Sequence, residues 1–135
     1  MSVHSTKRLN DYELTVGVYL GKKDRLIRSW HQTLPKGSFS MLTKLCIQAY
    51  LQKQYFPLQT VCDVQSLKKE MEKNRYFRPQ QRNITFTPED GPVYEWVKSL
   101  ESGYRSEEIK EILKETITQT LNLHPFRSGS GITNR

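Results

Sequence analysis

Apolar and polar residues alternate over residues 14–20, and a helical spacing of apolar residues follows directly. In an extended segment such alternation places the apolar side chains on one face and the remaining side chains on the other. The two sets are Leu14, Val16, Val18 and Leu20, and Thr15, Gly17 and Tyr19. The pattern predicts a half-buried strand that ends at Gly21.

Two helices are predicted after this strand. From Asp24, a suitable N-cap, apolar residues recur at helical spacing until the Pro-Lys-Gly sequence at 35–37, which ends the first helix. Ser38 or Ser40 can then cap a second helix with its own apolar stripe. The predicted order is strand, helix, turn, helix.

The same order is predicted a second time downstream. Ile84 and Phe86 alternate with threonines in a second strand over residues 84–87. Asp90 is the predicted N-cap of the next helix, with Pro92 in its first turn. After a break at 102–103, Ser106 is the predicted cap of a last helix. We interpret this similarity as a structural repeat.

The chain therefore divides into four predicted segments. Residues 1–51 form a first unit with a basic N-terminal arm, and 52–81 form a linker with one short helix. Residues 82–121 form a second unit, and 122–135, rich in Gly and Ser, form a flexible tail. The predicted fold class is mainly α with a short two-stranded antiparallel β-ribbon.

An isolated strand leaves backbone donors and acceptors unpaired, so each predicted strand needs a partner. Antiparallel pairing of two such strands gives a ribbon whose apolar face lies on the helices and whose polar face points outward. A two-stranded ribbon fits the major groove of B-DNA. We favour pairing of the two strands within one chain as a pseudo-dimer, because a linker of about 30 residues gives them a high effective concentration. Pairing between chains is the alternative.

Several segments resemble the ribbon-helix-helix family of DNA-binding proteins. The resemblance rests on LTVGVYL, the turn LPKGSFS, the helix MLTKLCIQAYL, and the second set ITFTPED and GYRSEEIKEIL. The first copy is similar to plasmid-partition adaptors of the ParR type, which have a similar turn before a Ser-capped helix. The resemblance covers roughly 75 of the 135 residues.

The resemblance implies that outward strand residues contact bases and that the start of the second helix holds a phosphate. The predicted base-reading residues are Thr15, Gly17, Tyr19, Asn83, Thr85 and Thr87. The predicted phosphate contacts are Lys22, Lys23, Arg25, Arg28, Lys36, Gly37, Ser38, Phe39, Ser40, Arg105 and Ser106. A helix start also favours an anion physically, because its N–H groups are free and carry partial positive charge. Helix capping by the serines and simple solvation of the cations are the alternatives.

The charge distribution agrees with a polyanionic partner. The net charge is +7, and residues 1–51 hold eight basic and three acidic side chains. Residues 82–121 are acidic, with five basic and eight acidic side chains. The basic character therefore belongs to the first two thirds of the chain.

Other chemistry is not indicated. The three histidines have no ligand or triad spacing, the two cysteines form no CxxC motif, and no nucleotide-binding or hydrolase motif occurs. We expect no enzyme activity, no metal and no cofactor. The lack of an apolar span and of a signal core predicts a cytoplasmic protein without a membrane partner.

These observations predict a sequence-specific duplex DNA-binding protein of a plasmid or mobile element, active in partition or transcription control. A partition role adds a second predicted partner, an actin-like filament protein, and self-association into dimers or larger assemblies is a further possibility. The alternative is a protein-binding module, such as an antitoxin or accessory subunit, that uses the fold mainly for dimerisation.

Overall fold

The computed structural model describes residues 12–73 and 78–123. It contains two strands, β1 (Leu14–Leu20) and β2 (Gln80–Phe86), and five α-helices. The helices are α1 (Arg25–Thr33), α2 (Phe39–Leu51), α3 (Val64–Glu72), α4 (Pro92–Ser99) and α5 (Arg105–Leu123). Most of the predicted arm, and the predicted tail from residue 124, lie outside the described residues.

The two strands form one antiparallel two-stranded sheet within the chain, here called the ribbon. Leu14 lies opposite Phe86, Gly17 opposite Asn83 at the centre, and Leu20 opposite Gln80. The predicted class, mainly α with a short antiparallel ribbon, is thereby confirmed. The first strand has the predicted bounds, whereas the second begins at Gln80 and ends at Phe86 instead of covering 84–87.

The inner face of the ribbon forms part of the apolar core. Its buried residues are Val16, Val18, Leu20, Ile84 and Phe86. Helix α5 packs on β1, α1 and α2, while α2 also contacts α4. The linker helix α3 packs on α1, with Leu67 fully buried. Burial of one ribbon face by helices is the reason that its other face must meet solvent or a partner.

Two predicted caps have different roles in the structure. Asp90 caps a 3-10 turn at Pro88–Asp90, accepting from the Thr87 N–H at 2.9 Å, and the N-cap of α4 is Gly91. Asp24 is the N-cap residue of α1, but its carboxylate accepts from the Gly21 N–H at 2.8 Å. In both places the carboxylate closes the turn that joins a strand to its helix.

Further contacts occur twice in the chain, and the two members of each pair are separated by the same number of residues as Asp24 and Asp90. The side-chain bond from Thr33 to the Trp30 carbonyl (2.7 Å) has its counterpart from Ser99 to Trp96 (2.6 Å). Two ion pairs also match. Lys44 of α2 lies 3.0 Å from Asp90, and Lys110 of α5 lies 3.1 Å from Asp24. Each strand-helix turn is thus bound by a lysine from a helix that follows the other strand.

The two ion pairs differ in burial. The Lys110 side chain is 2% exposed and Asp24 is fully buried, whereas the side chains of Lys44 and Asp90 are 27% and 21% exposed. Lys110 also donates to the Tyr19 carbonyl at 3.0 Å. Burial alone would raise the pKa of Asp24, but the Gly21 N–H, Lys110 and Lys114 together hold that pKa below its usual value.

Within the described residues, none of the helices combines the length and the apolar character that crossing a bilayer requires.

The matched ion pairs predict unequal costs for equivalent substitutions. We expect Asp24→Asn to lower the free energy of unfolding by about 3 kcal/mol, because Lys110 loses its buried partner charge and keeps only the exposed carboxylate of Glu107. Asp90→Asn should cost about 1 kcal/mol or less, because the Lys44 pair is partly solvated. Urea denaturation of the two variants and the parent measures both values.

The lowered pKa of Asp24 predicts that the stability difference between the parent and Asp24→Asn depends on pH. A carboxyl whose pKa is lowered on folding stabilises the protein above its unfolded value, and that contribution disappears as the pH falls through the folded pKa. The stability difference between the parent and Asp24→Asn should therefore shrink below about pH 4, the unfolded value of an aspartate. A difference that stays constant down to pH 2 would show that the Asp24 charge contributes nothing.

Candidate nucleic-acid interface

The outer face of the ribbon consists of the six side chains that alternate with the core residues. They are Thr15, Gly17 and Tyr19 from β1, and Gln81, Asn83 and Thr85 from β2. All six are uncharged, and all except the half-buried Gly17 are exposed. Five of them were predicted from the sequence. Gln81 was missed because Arg-Pro-Gln-Gln-Arg, residues 78–82, has the composition of a loop.

Thr87 was predicted as the sixth base-reading residue, and the structure places it elsewhere. The residue follows the end of β2, is half-buried, and begins the 3-10 turn that Asp90 caps. Its N–H is bound by that carboxylate. The strand is shifted towards the N-terminus relative to the prediction, so Gln81 takes the place that Thr87 was expected to have.

Gly17 makes room for two amide side chains. The Gln81 amide nitrogen donates to the Asn83 side-chain oxygen at 3.1 Å, and both groups lie over Gly17. A Cβ at position 17 would lie 2.7 Å from Gln81 Nε2 and 3.2 Å from Asn83 Oδ1. Gly17 thus admits side chains of the opposite strand. The paired amides together offer donors and acceptors at the centre of the outer face.

The two ends of the outer face carry different groups. At one end, the Thr15 and Thr85 hydroxyls lie 3.0 Å apart and share a hydrogen bond. At the other end, Tyr19 lies opposite Gln81, with about half of its surface exposed. The Tyr19 ring packs over Gly21, where an added Cβ would lie 2.5 Å from Tyr19 Cε2.

A cleft of about 390 Å³ separates the start of α2 from the ribbon, and we call it the anchor cleft. Its lining residues are His31, Leu34, Pro35, Lys36, Gly37, Phe39, Ser40, Arg82 and Asn83. The cleft thus joins the predicted phosphate-binding turn to the outer face through Asn83. The first N–H groups of a helix lack partners within the helix, so the start of α2 offers donors there.

The turn residues of the anchor cleft have distinct roles. Lys36 is exposed, and Gly37 has φ +84°, a conformation that favours glycine, with open space around it. Ser38 is the N-cap residue, yet its hydroxyl donates to the Pro35 carbonyl at 2.8 Å instead of capping α2. Ser40 lies in the first turn and is half-buried.

The Phe39 side chain is buried, with ring centroids 5.8 Å from Trp30 and 5.2 Å from His31. Phe39 was predicted to contact a phosphate, and because its side chain is buried only its backbone N–H could do so.

Arg82 and His31 are members of the anchor cleft that the sequence did not indicate. Arg82 Nε donates to His31 Nε2 at 3.0 Å. Burial, and then the charge of Arg82, lower the pKa of His31, which favours the neutral imidazole as the acceptor. Arg82 lies on the strand that was predicted to start two residues later, so no local pattern placed it near the turn.

The predicted cations of the first helix divide into two pairs. Lys22 and Lys23 are exposed in the 3-10 turn after β1. Arg28 donates to the Gly21 carbonyl at 2.8 Å and to the Lys22 carbonyl at 3.2 Å, and Arg25 donates to the Met71 carbonyl. These guanidinium groups serve the fold, so the lysines are the better placed cations for a phosphate.

Arg105 likewise serves the fold at the start of α5. Its guanidinium donates to the carbonyls of Val97 (2.9 Å), Leu100 (3.1 Å) and Lys98 (3.4 Å), and so closes the end of α4. Ser106 lies within α5, which begins at Arg105, and is half-buried instead of capping the helix. The start of α5 therefore lacks the free cation that Lys36 supplies at α2.

The remaining titratable groups offer little further chemistry. Over residues 12–73 and 78–123, the structure has no cluster of three His, Cys, Asp or Glu side chains that could hold a metal ion. Cys46 is buried, and its burial raises the pKa of the thiol to about 12. The pKa of the half-buried Cys62 is also raised by burial.

Comparison with known proteins adds no assignment. No protein-family model matches the chain, and neither the curated proteins nor the solved structures include a significant match.

Two glycine substitutions test the arrangement of the outer face. We expect Gly17→Ala to change the free energy of unfolding by less than about 1 kcal/mol, because the end of the Gln81 side chain can move away. The bond between the two amides should be lost, which side-chain amide NMR signals of Gln81 and Asn83 would report. Gly21→Ala is the comparison, since its Cβ would meet the Tyr19 ring, and we expect a loss of about 1–3 kcal/mol.

The arrangement would be refuted if the amide signals stayed unchanged in Gly17→Ala. It would also be refuted if the Gly17 substitution destabilised the protein as strongly as the Gly21 substitution.

Proposed function

We propose that this chain is a tandem ribbon-helix-helix protein that binds double-stranded DNA by placing its ribbon in the major groove. The observation that carries the proposal is the outer face, six uncharged side chains on a two-stranded ribbon whose other face is buried by helices. A ribbon of this kind has the dimensions of the major groove, and hydroxyl and amide groups can bind base edges there.

The repeated contacts support a tandem arrangement. The two strand-helix turns, the paired tryptophan carbonyl contacts and the crossed lysine-aspartate pairs all follow one offset along the chain. Such reciprocity is typical of an interface between two copies related by a two-fold axis. In this proposal one chain supplies what two subunits supply in a ribbon-helix-helix dimer.

The outer face and the anchor cleft would divide the work of binding. Amides can bind adenine in a bidentate manner, and threonine can contact a thymine methyl group. The start of α2, with Lys36 and the open turn at Gly37, would hold a backbone phosphate and set the register of the ribbon. Lys22 and Lys23 would add to the electrostatic attraction without sequence preference.

The biological setting proposed is control of a plasmid or mobile element in the cytoplasm, through partition or transcription. In a partition role the protein would also bind an actin-like filament protein, and repeated DNA sites would compensate for a small number of base contacts per molecule. The competing proposal is a protein-binding module that uses the fold for assembly. Retention on heparin without duplex binding, together with a co-purifying protein, would favour that module.

Lys36→Gln tests the division between phosphate and base contacts. We expect it to weaken binding roughly tenfold, because a charge-assisted contact is lost. The loss should be similar for a mixed-sequence duplex and for a duplex enriched by selection from a random library. The slope of log K against log salt should fall by about 1. Gel shifts over a salt series provide the measurement.

Matched variants complete this experiment. Lys69→Gln removes the same charge from the exposed face of α3 and should leave the salt slope nearly unchanged. Thr15→Val and Tyr19→Phe should change the preference among enriched duplexes with little effect on the mixed-sequence duplex. Equal losses for all four variants would contradict the proposed division of labour.

A further inference from the structure

The two halves of the outer face are geometrically equivalent but chemically different. About the central pair of Gly17 and Asn83, the offset that relates the two halves matches Thr15 with Gln81 and Tyr19 with Thr85. One end of the face therefore carries two hydroxyls, and the other end a phenol and an amide. A duplex site would meet a different pair of groups in each half.

The two helix starts differ in the same way. At the same offset, Lys36 corresponds to Ser102 and Arg82 corresponds to Val16, which is 5% exposed. Phe39 corresponds to Arg105, whose guanidinium is already bound to three carbonyls at the C-terminal end of α4. The anchor cleft at α2 therefore has the exposed Lys36 and also Arg82, whose guanidinium donates to His31 and Gln80. None of the counterparts at α5 is an exposed cation.

Acidic side chains strengthen this difference. Glu101, Glu107 and Glu108 surround the start of α5 and are exposed, and their counterparts at α2 are the uncharged Pro35, Met41 and Leu42. Glu107 is paired with Lys110 at 3.2 Å, but the other two add negative charge beside the helix start. A phosphate would be attracted at α2 and opposed at α5.

We propose that the protein binds a non-palindromic duplex site in one orientation, anchored by a phosphate at α2 only. This inference rests on the proposed function and names the class of its DNA site. A symmetric dimer binds palindromic sites because its two halves present the same groups. This chain keeps the two-fold geometry but offers two threonine hydroxyls at one end and a phenol and an amide at the other, so the two half-sites must differ.

Selection from a random duplex library with the purified protein tests the symmetry of the site. We expect the enriched motif to lack a two-fold axis. Gln81 and Thr15 lie at equivalent positions in the two halves. Both side chains are exposed, so neither Gln81→Ala nor Thr15→Ala should unfold the protein. Each substitution should reduce the base preference roughly tenfold in one half of the motif, and the two substitutions should affect different halves.

A cleavage experiment tests the orientation without touching the anchor cleft. An iron chelate attached to Ser102→Cys, in a Cys62→Ser background, would cut an enriched, end-labelled duplex near the start of α5. Cys46 can stay, since it is buried. We expect cleavage on one flank of the site only. Equal cleavage of both flanks would overturn the single orientation.

The outcomes separate this inference from the proposed function. A palindromic enriched motif, with tight and salt-dependent duplex binding, would overturn the inference and leave the function standing. Absence of any duplex binding at low salt would overturn the function, and the inference with it. A directional motif with one-sided cleavage would support both.

Discussion

The structure depends on the antiparallel pairing of β1 with β2. Each strand alone would leave a row of backbone groups without partners, and each has an apolar face that one helical hairpin cannot cover. Pairing satisfies the backbone of both strands in one step, and it brings the helices that follow each strand onto the same side of the ribbon. The outer face is a consequence of this pairing, because a strand that buries alternate residues must expose the others.

The lysine-aspartate contacts bind the two halves to each other. A buried lysine is costly unless a charge and hydrogen-bond acceptors surround it, and Lys110 has Asp24, the Tyr19 carbonyl and Glu107. Such a group disfavours any arrangement in which α5 is displaced from the turn after β1. The partly exposed pair of Lys44 and Asp90 disfavours such a displacement less strongly. The two ion pairs therefore have similar distances but unequal burial.

The candidate site is built from both strands of the ribbon and from the turn before α2. Gly17 leaves space that the Gln81 and Asn83 amides occupy, so the centre of the outer face belongs to side chains of β2. The anchor cleft combines the turn before α2 with Arg82 of β2. Both features join residues far apart in the chain. Cations lie at the start of α2, whereas exposed carboxylates surround the start of α5.

The sequence by itself determined what local periodicity and turn chemistry can specify. Alternation placed β1 with its correct bounds and faces, and the Pro-Lys-Gly turn placed the start of α2. Only the tertiary structure decided that polar residues 80–82 form a strand, because their backbone is held by β1 and not by any local preference. It also decided that Arg28 and Arg105 bind carbonyls and that Asp24 meets Lys110, since a charged side chain selects its partner from groups that folding brings near.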